Sequence, residues 1–184
     1  MTQIPPVVPL AHAGPTHSGS ARFKLGMRAL TGAVTVVGAY GRDGVPLAMT
    51  ATAVSSLSAD PPALLVCVNR SATMAQALGV SARFSVNILG EDQLEVAKAF
   101  GGQLGVRGTA RFIHGNWRRI DDTEVPVLSG SRVSFECAVA HVHDWATHHI
   151  IIGTVLDVHF ASTASRSLVY ADGAYHAVGQ KRET

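Results

Sequence analysis

Beyond about residue 30 the chain alternates short apolar runs with small, polar or glycine-bearing breaks, the rhythm of a strand-rich protein. AVTVVGAY (33–40) is apolar and β-branched and predicts a strand, and GRDG (41–44) has turn composition. VPLAMTATAVSSLSADPP (45–62) predicts a strand that runs into a polar loop. Pro61 and Pro62 keep the residues before them out of helix and launch ALLVCVN (63–69) as a buried strand. RFSVNIL (83–89) predicts another strand. RVSFECAVAHVHDWA (132–146) and HHIIIGTVLDVHFA (148–161) are two long β-runs across a short polar turn, and so predict a hairpin. SLVYADGAYHAV (167–178) predicts a short strand pair around Asp172-Gly173.

Three segments carry helical spacing instead. ARFKLGMRALTG (21–32) has Phe23, Met27 and Leu30 on one stripe, with Gly32 as a stop. RSATMAQALGVS (70–81) predicts a short helix capped by Ser71, with Met74, Ala77 and Leu78 as its apolar stripe. GEDQLEVAKAFGG (90–102) has acidic residues in its first turn and glycines at its end. Residues 102–116 are glycine-rich and predicted to be irregular.

The sum is roughly seven or eight strands with three short helices, without regular alternation. That pattern predicts a mainly β fold, an antiparallel barrel with a few short flanking helices, and excludes a doubly wound parallel sheet. No G-x-G-x-x-G stands at a strand-to-helix turn, so any dinucleotide binds by another geometry.

Composition narrows the class further. The 184 residues suit one domain over 21–178, with residues 1–20 as an extended arm and 179–184 as a tail. A hydrophobic share of 47% against 15% charged raises the expectation of a subunit interface. A net charge of +2 gives no reason to expect nucleic acid or an anionic membrane as partner. The apolar runs fall well below the ~18 residues needed to cross a bilayer. The proline-bearing start lacks a basic signal region, so a cytoplasmic location is the expectation. Cys67 and Cys137 both sit in apolar runs and read as buried small hydrophobes, and no Cys/His spacing suggests a metal site.

Three stretches can carry chemistry. MTATAVSSLSADPP (49–62) offers hydroxyls, small side chains and exposed backbone, a surface suited to a flat ring and a phosphate. CVNRSATM (67–74) leads a buried strand into a helix start at Ser71. Free N–H groups, Thr73 and Arg70 would stabilise an anion there. ATHHIIIGTV (146–155) opens a strand with two histidines facing opposite sides, so that one can meet a nicotinamide. Taken singly, each also has an ordinary reading: a polar loop, an N-cap, a pair of turn histidines. There is no G-x-S-x-G, no H-E-x-x-H and no useful carboxylate pair, and Asp121-Asp122 reads as a solvated turn. Such poverty fits chemistry that belongs to a cofactor.

Taken in order, FKLGMRALTGAVTVV, DGVPLAMTATAVSSLSADPP, LLVCVNRSATM, RFSVNILGEDQLEVAKAFGG, HHIIIGTV and LVYADGAYH resemble the short-chain flavin reductase family, the reductase components of two-component flavin-dependent monooxygenases. The resemblance spans about residues 21–178. It implies an FMN-binding split β-barrel, working as a homodimer with the flavin (FMN or FAD) near the subunit interface. NADH or NADPH would be the hydride donor, and a flavin-dependent monooxygenase the recipient of reduced flavin. It implies flavin contacts at Thr52, Ala53, Val54, Ser55, Cys67, Asn69, Ser71 and Thr73, with Phe100 near the ring. It implies a nicotinamide-side role for His148, with His149 the alternative one residue on. The family shows Gly-Asp before that histidine, where this chain has Ala146-Thr147. The other functions considered are a non-catalytic flavin carrier and a same-fold reductase of a corrinoid or ferric complex.

Overall fold

The computed structural model describes residues 19–119, 125–162 and 165–179. The arm at 1–18, Asp121-Asp122 and the end of the tail lie outside the described residues. The elements are helix α1 (Gly19–Met27), strands β1 (Gly32–Ala33), β2 (Thr35–Tyr40), β3 (Pro46–Ala51), β4 (Val54–Ala59) and β5 (Pro62–Asn69), a 3-10 turn at Thr73–Gln76, β6 (Arg83–Ile88) and helix α2 (Leu94–Phe100). A 3-10 turn at Gly108–Ile113 follows, then β7 (Trp117–Arg119), β8 (Pro126–Leu128), β9 (Val133–Trp145), β10 (His148–Phe160), β11 (Ser167–Ala171) and β12 (Ala174–Val178).

Seven strands form one antiparallel sheet in the order β3-β2-β6-β9-β10-β5-β4. Its two edge strands, β3 and β4, are consecutive in the chain and joined through Thr52-Ala53 alone. The three Cα steps from Ala51 to Val54 reach only ~10 Å, so the sheet must curl until its edges meet at that link. They meet without hydrogen-bonding to each other as strands, which leaves a seam: a split barrel, as expected from the sequence. Bulges between Ile152 and Gly153 and between Val155 and Asp157 bend β10 around the curl. Gly153 is required inside, because a Cβ there would lie 2.4 Å from the Phe84 ring.

Two apolar clusters flank β2. Val37 and Ala39 face the barrel interior with Phe84, Val86, Cys137, Val139, Ile151 and Val66. Val34 and Val36 face the other way, onto α2, β8 and Leu168 of β11. Strand periodicity explains the split, since alternate residues of β2 serve opposite cores. The polar residues between β2 and β8 are satisfied by Asn87. Its Nδ2 donates to the Val36 carbonyl at 3.0 Å, and its Oδ1 accepts from Leu128 N–H at 3.1 Å and from the Ser134 hydroxyl at 2.8 Å.

The structure corrects several expectations. SSLSA is strand β4 rather than polar loop, because pairing with β5 (Ser55 opposite Leu65, Ala59 opposite Pro62) overrides the loop-like composition. The segment after Asn69 forms only the 3-10 turn Thr73–Gln76, with Ala72 at its cap and no side-chain cap, so Ser71 is not an N-cap. Helix α1 forms but buries nothing, and Leu30 lies beyond its end. Cys67 is half-buried on the outer sheet face, whereas Cys137 is buried. Residues 102–116 are less irregular than expected, since they include the 3-10 turn at Gly108–Ile113. The described residues contain twelve strands, more than the sequence reading counted, because several are two or three residues long.

Candidate functional site

The seam is where ligand-facing groups collect. Strand β4 pairs with β5 only as far as Val54 opposite Val66, and the Cys67 N–H then donates to the Ala53 carbonyl at 3.0 Å. Beyond that bond β5 runs on through Asn69 without β4 beside it. The 3-10 turn at Thr73–Gln76 packs across both β3 and β5. A cavity of about 670 Å³ opens there. Its walls include Leu47–Met49 of β3, Ser71–Met74, Phe100, and a loop carrying Arg107, Arg111 and Phe112.

The walls are built differently. On the strand side, Asn69 Oδ1 accepts from the Ser71 N–H at 2.9 Å and from the Ser71 hydroxyl at 2.8 Å. This Asx turn, rather than a capping serine, leads the chain into the 3-10 turn. It also occupies the Ser71 hydroxyl proton, so the Thr73 hydroxyl is the freer donor of the two. On the loop side, Phe100 (4% exposed) belongs to a mutual edge-to-face trio with Phe112 and Trp117. Its centroid lies 5.0 Å from Phe112 and 5.2 Å from Trp117. The loop is hinged by Gly102, Gly105 and Gly108, all at positive φ, and braced by Arg111 Nε donating to the Val106 carbonyl at 2.9 Å. That bond leaves the terminal amino groups of Arg111 free for a ligand.

Each residue singled out in the sequence has a definite place. Ser71, Thr73 and Phe100 share the 670 Å³ cavity. Thr52 and Ala53 form the link at the seam, with Cys67 hydrogen-bonded to Ala53 and Asn69 two residues further on. Val54 and Ser55 line a second, more apolar hollow of about 390 Å³ with Thr35, Phe135 and Val155. His148 pairs with Asn69 across β10 and β5, and Ile150 with Cys67, so His148 stands on the Cys67–Asn69 face. His149 pairs with Val68 and belongs to the opposite face. Register thus distinguishes the two histidines, as strand alternation requires. Arg70 departs from the role its sequence position suggested. Its guanidinium reaches the Ala146 carbonyl (3.4 Å) and its N–H the Thr147 carbonyl (3.0 Å), pinning the β9–β10 turn instead of lining the cavity. Arg107 and Arg111 escaped sequence reading. The signal available was two arginines four apart in a glycine-rich loop that follows a helix ending in phenylalanine.

Comparison with known proteins decides the family: the flavin reductase-like domain matches residues 27–179. The chain belongs to the flavin reductase-like family. Among relatives of this family, an NADH-dependent FMN reductase, RutF, from Agrobacterium fabrum is 35% identical over 145 residues, covering 79% of each chain. RutF from Pseudomonas syringae pv. syringae is 36% identical over 151 residues, covering 82% of this chain and 80% of the relative. Among solved structures, BorF, the flavin reductase component of a bacterial two-component tryptophan halogenase, superposes with a TM-score of 0.77 at 31% identity. That match covers 88% of this chain and 99% of BorF. The component B homologue of nitrilotriacetate monooxygenase from Mycobacterium thermoresistibile gives 0.79 at 28% identity, covering 90% and 89%.

The donor set of this flavin reductase-like chain fits a phosphorylated flavin. Two guanidiniums and a free threonine hydroxyl suit an anion. Thr52 and Ala53 are small and exposed and Cys67 is half-buried, so this part of the seam presents little side-chain bulk. The cavity volume falls within the ~300–1,000 Å³ typical of ligand sites. A four-residue 3-10 turn carries little macrodipole, so the arginines, rather than the turn, supply the positive charge.

Proposed function

We propose that this chain is an NADH-dependent flavin reductase that uses FMN and supplies reduced flavin to a partner monooxygenase. The observation that carries the reading is the cavity at the seam, where Ser71, Thr73 and Phe100 meet Arg107 and Arg111. The names of the relatives support NADH and FMN as the pair. The two-component systems of BorF and of the nitrilotriacetate enzyme support an oxygenase as recipient.

In this reading Arg107, Arg111 and the Thr73 hydroxyl hold the phosphate. Thr52, Ala53, Val54, Ser55, Cys67 and Asn69 lie along the ring, with Phe100 closing one end of the cleft. His148, on the Asn69 face, stands at the nicotinamide side. Bound flavin supplies the chemistry, accepting hydride from reduced nicotinamide. The protein's residues bind, orient and exclude water, and none is needed as a nucleophile. Moderate affinity suits a product that must leave, and a cavity with an open mouth suits moderate affinity.

The reading includes a homodimer in the cytoplasm. The outer face of β5 and β10 presents half-buried Leu65, Cys67, Ile150 and Ile152, with Trp145 beside them 76% exposed. Helix α1 leaves Phe23 66% exposed and buries none of its residues. A second copy covering these faces brings both to ordinary burial. Among the described residues no helix is long and apolar enough to cross a membrane.

The test is steady-state oxidation of NADH and NADPH with FMN, FAD and riboflavin compared, with light scattering for mass. Multiple turnovers, NADH and FMN preferred, and twice the chain mass are expected. Tight flavin binding with no turnover would make the chain a carrier, and no flavin affinity would end the reading.

A further inference from the structure

The adjacent histidines at the head of β10 are held by chemically different partners. His149 Nδ1 lies 2.5 Å from Asp144 Oδ1, directly across the hairpin. His148 Nδ1 lies 2.9 Å from the hydroxyl of its neighbour Thr147. A carboxylate only accepts, so Asp144 requires a proton on Nδ1 of His149. A hydroxyl can donate, and among the described residues the Thr147 hydroxyl has no acceptor but His148 Nδ1.

The turn that carries Thr147 is itself fixed. Ala146 sits at φ +48°, a left-handed conformation that favours glycine. Arg70, the residue just after β5, clamps it, donating to the carbonyls of both Ala146 and Thr147. Thr147 is therefore anchored through its backbone while its side chain meets the imidazole.

We propose that Thr147 is a positioning residue for His148: its hydroxyl donates to Nδ1 and holds the ring as the Nε2–H tautomer. This rests on the reading of His148 as the nicotinamide-side residue. The ring then offers a single neutral N–H donor on the Asn69 face, matched to the carbonyl oxygen of a carboxamide. The two neighbouring rings carry opposite proton arrangements, one set by a hydroxyl and the other by a carboxylate.

The test uses the full-length protein and the variants Thr147→Val, Thr147→Ser and His148→Ala. Long-range proton–nitrogen spectra of the ligand-free protein read the tautomers. Kinetics with FMN read KM for NADH separately from kcat. In the parent protein His148 gives the Nε2–H pattern, which Thr147→Ser keeps and Thr147→Val loses. Loss of one hydrogen-bond constraint raises KM for NADH roughly five- to tenfold in Thr147→Val. Thr147→Ser stays within about twofold, and KM for FMN is unchanged. An unaltered ring pattern in Thr147→Val overturns the inference whatever the kinetics show, and so does an altered pattern with unchanged KM for NADH. An unchanged KM for NADH in His148→Ala sinks the nicotinamide reading, and the inference with it.

Discussion

The two walls of the cleft contrast in how they are made. The strand wall, Leu47–Met49 of β3 with Ser71–Met74, is held by sheet register and by the Asx turn that Asn69 makes with Ser71, so the Ser71 hydroxyl is engaged within the protein. The loop wall, from Gly102 to Phe112, has glycine hinges, one internal brace and two arginines whose terminal groups face open space. The strand wall has shape and little free charge, whereas the loop wall has charge and little secondary structure. A preformed surface that fixes a ring therefore faces a pliable one that supplies the cations. Recognition of ring and of phosphate should then separate experimentally.

Removing the ring buried behind the loop wall gives the largest effect. Phe100→Ala vacates a buried position packed against both Phe112 and Trp117 and is expected to destabilise the protein by about 3–5 kcal/mol in urea titration. Flavin binding is lost with it, and a loss below about 1 kcal/mol would show the three rings to be independent. Next is Arg107→Ala combined with Arg111→Ala. Two charge-assisted bonds lost should raise KM for FMN on the order of tenfold to a hundredfold. KM for riboflavin, which lacks the phosphate, should hardly move, and an equal rise for both would place the arginines elsewhere than on the phosphate. Asn69→Ala attacks the strand wall. Loss of its two bonds to Ser71 should cost about 1 kcal/mol and weaken FMN and riboflavin alike by several-fold.

The smallest effect compares the two thiols. Burial, helped by neighbouring Glu136, pushes the Cys137 thiol up to about 12. Its folded value thus lies above its unfolded one. The resulting stabilisation is whole below about pH 8.5, the ordinary thiol range, and declines as pH rises toward the folded value. At dilutions that separate the subunits, alkylation at mild alkaline pH should mark half-buried Cys67 and spare Cys137 until the chain unfolds. FMN should slow the marking of Cys67, and no protection would remove that residue from the flavin's surroundings.

Much of the sheet was legible beforehand. β-branched runs marked β2, β5 and β6, and the Asp172-Gly173 turn, with both residues at positive φ, marked β11 and β12. The hairpin of β9 and β10 followed from two long runs either side of a polar turn. What stayed hidden was set by partners rather than by local pattern. Strand β4 reads as loop because its hydroxyls suit loops, and only β5 makes it a strand. Asn69 rather than Ser71 starts the turn because the competition between two polar side chains is settled by geometry. Which histidine shares a face with Asn69 depends on cross-strand register, which sequence alone does not fix. Arg107 and Arg111 lie in a segment without periodicity, so nothing local announced that they would converge on Ser71 and Thr73.

The link at Thr52-Ala53 joins chain neighbours that sit at opposite ends of the seven-stranded sheet, with five strands between them. Every intervening hairpin must be in place before those neighbours can form the mouth of the cleft. Cofactor uptake is thereby a checksum on the whole barrel, and holoprotein yield on refolding should fall with damage to any strand, however remote. Riboflavin-starved cells would accordingly accumulate a less durable enzyme than well-fed ones, through mass action alone.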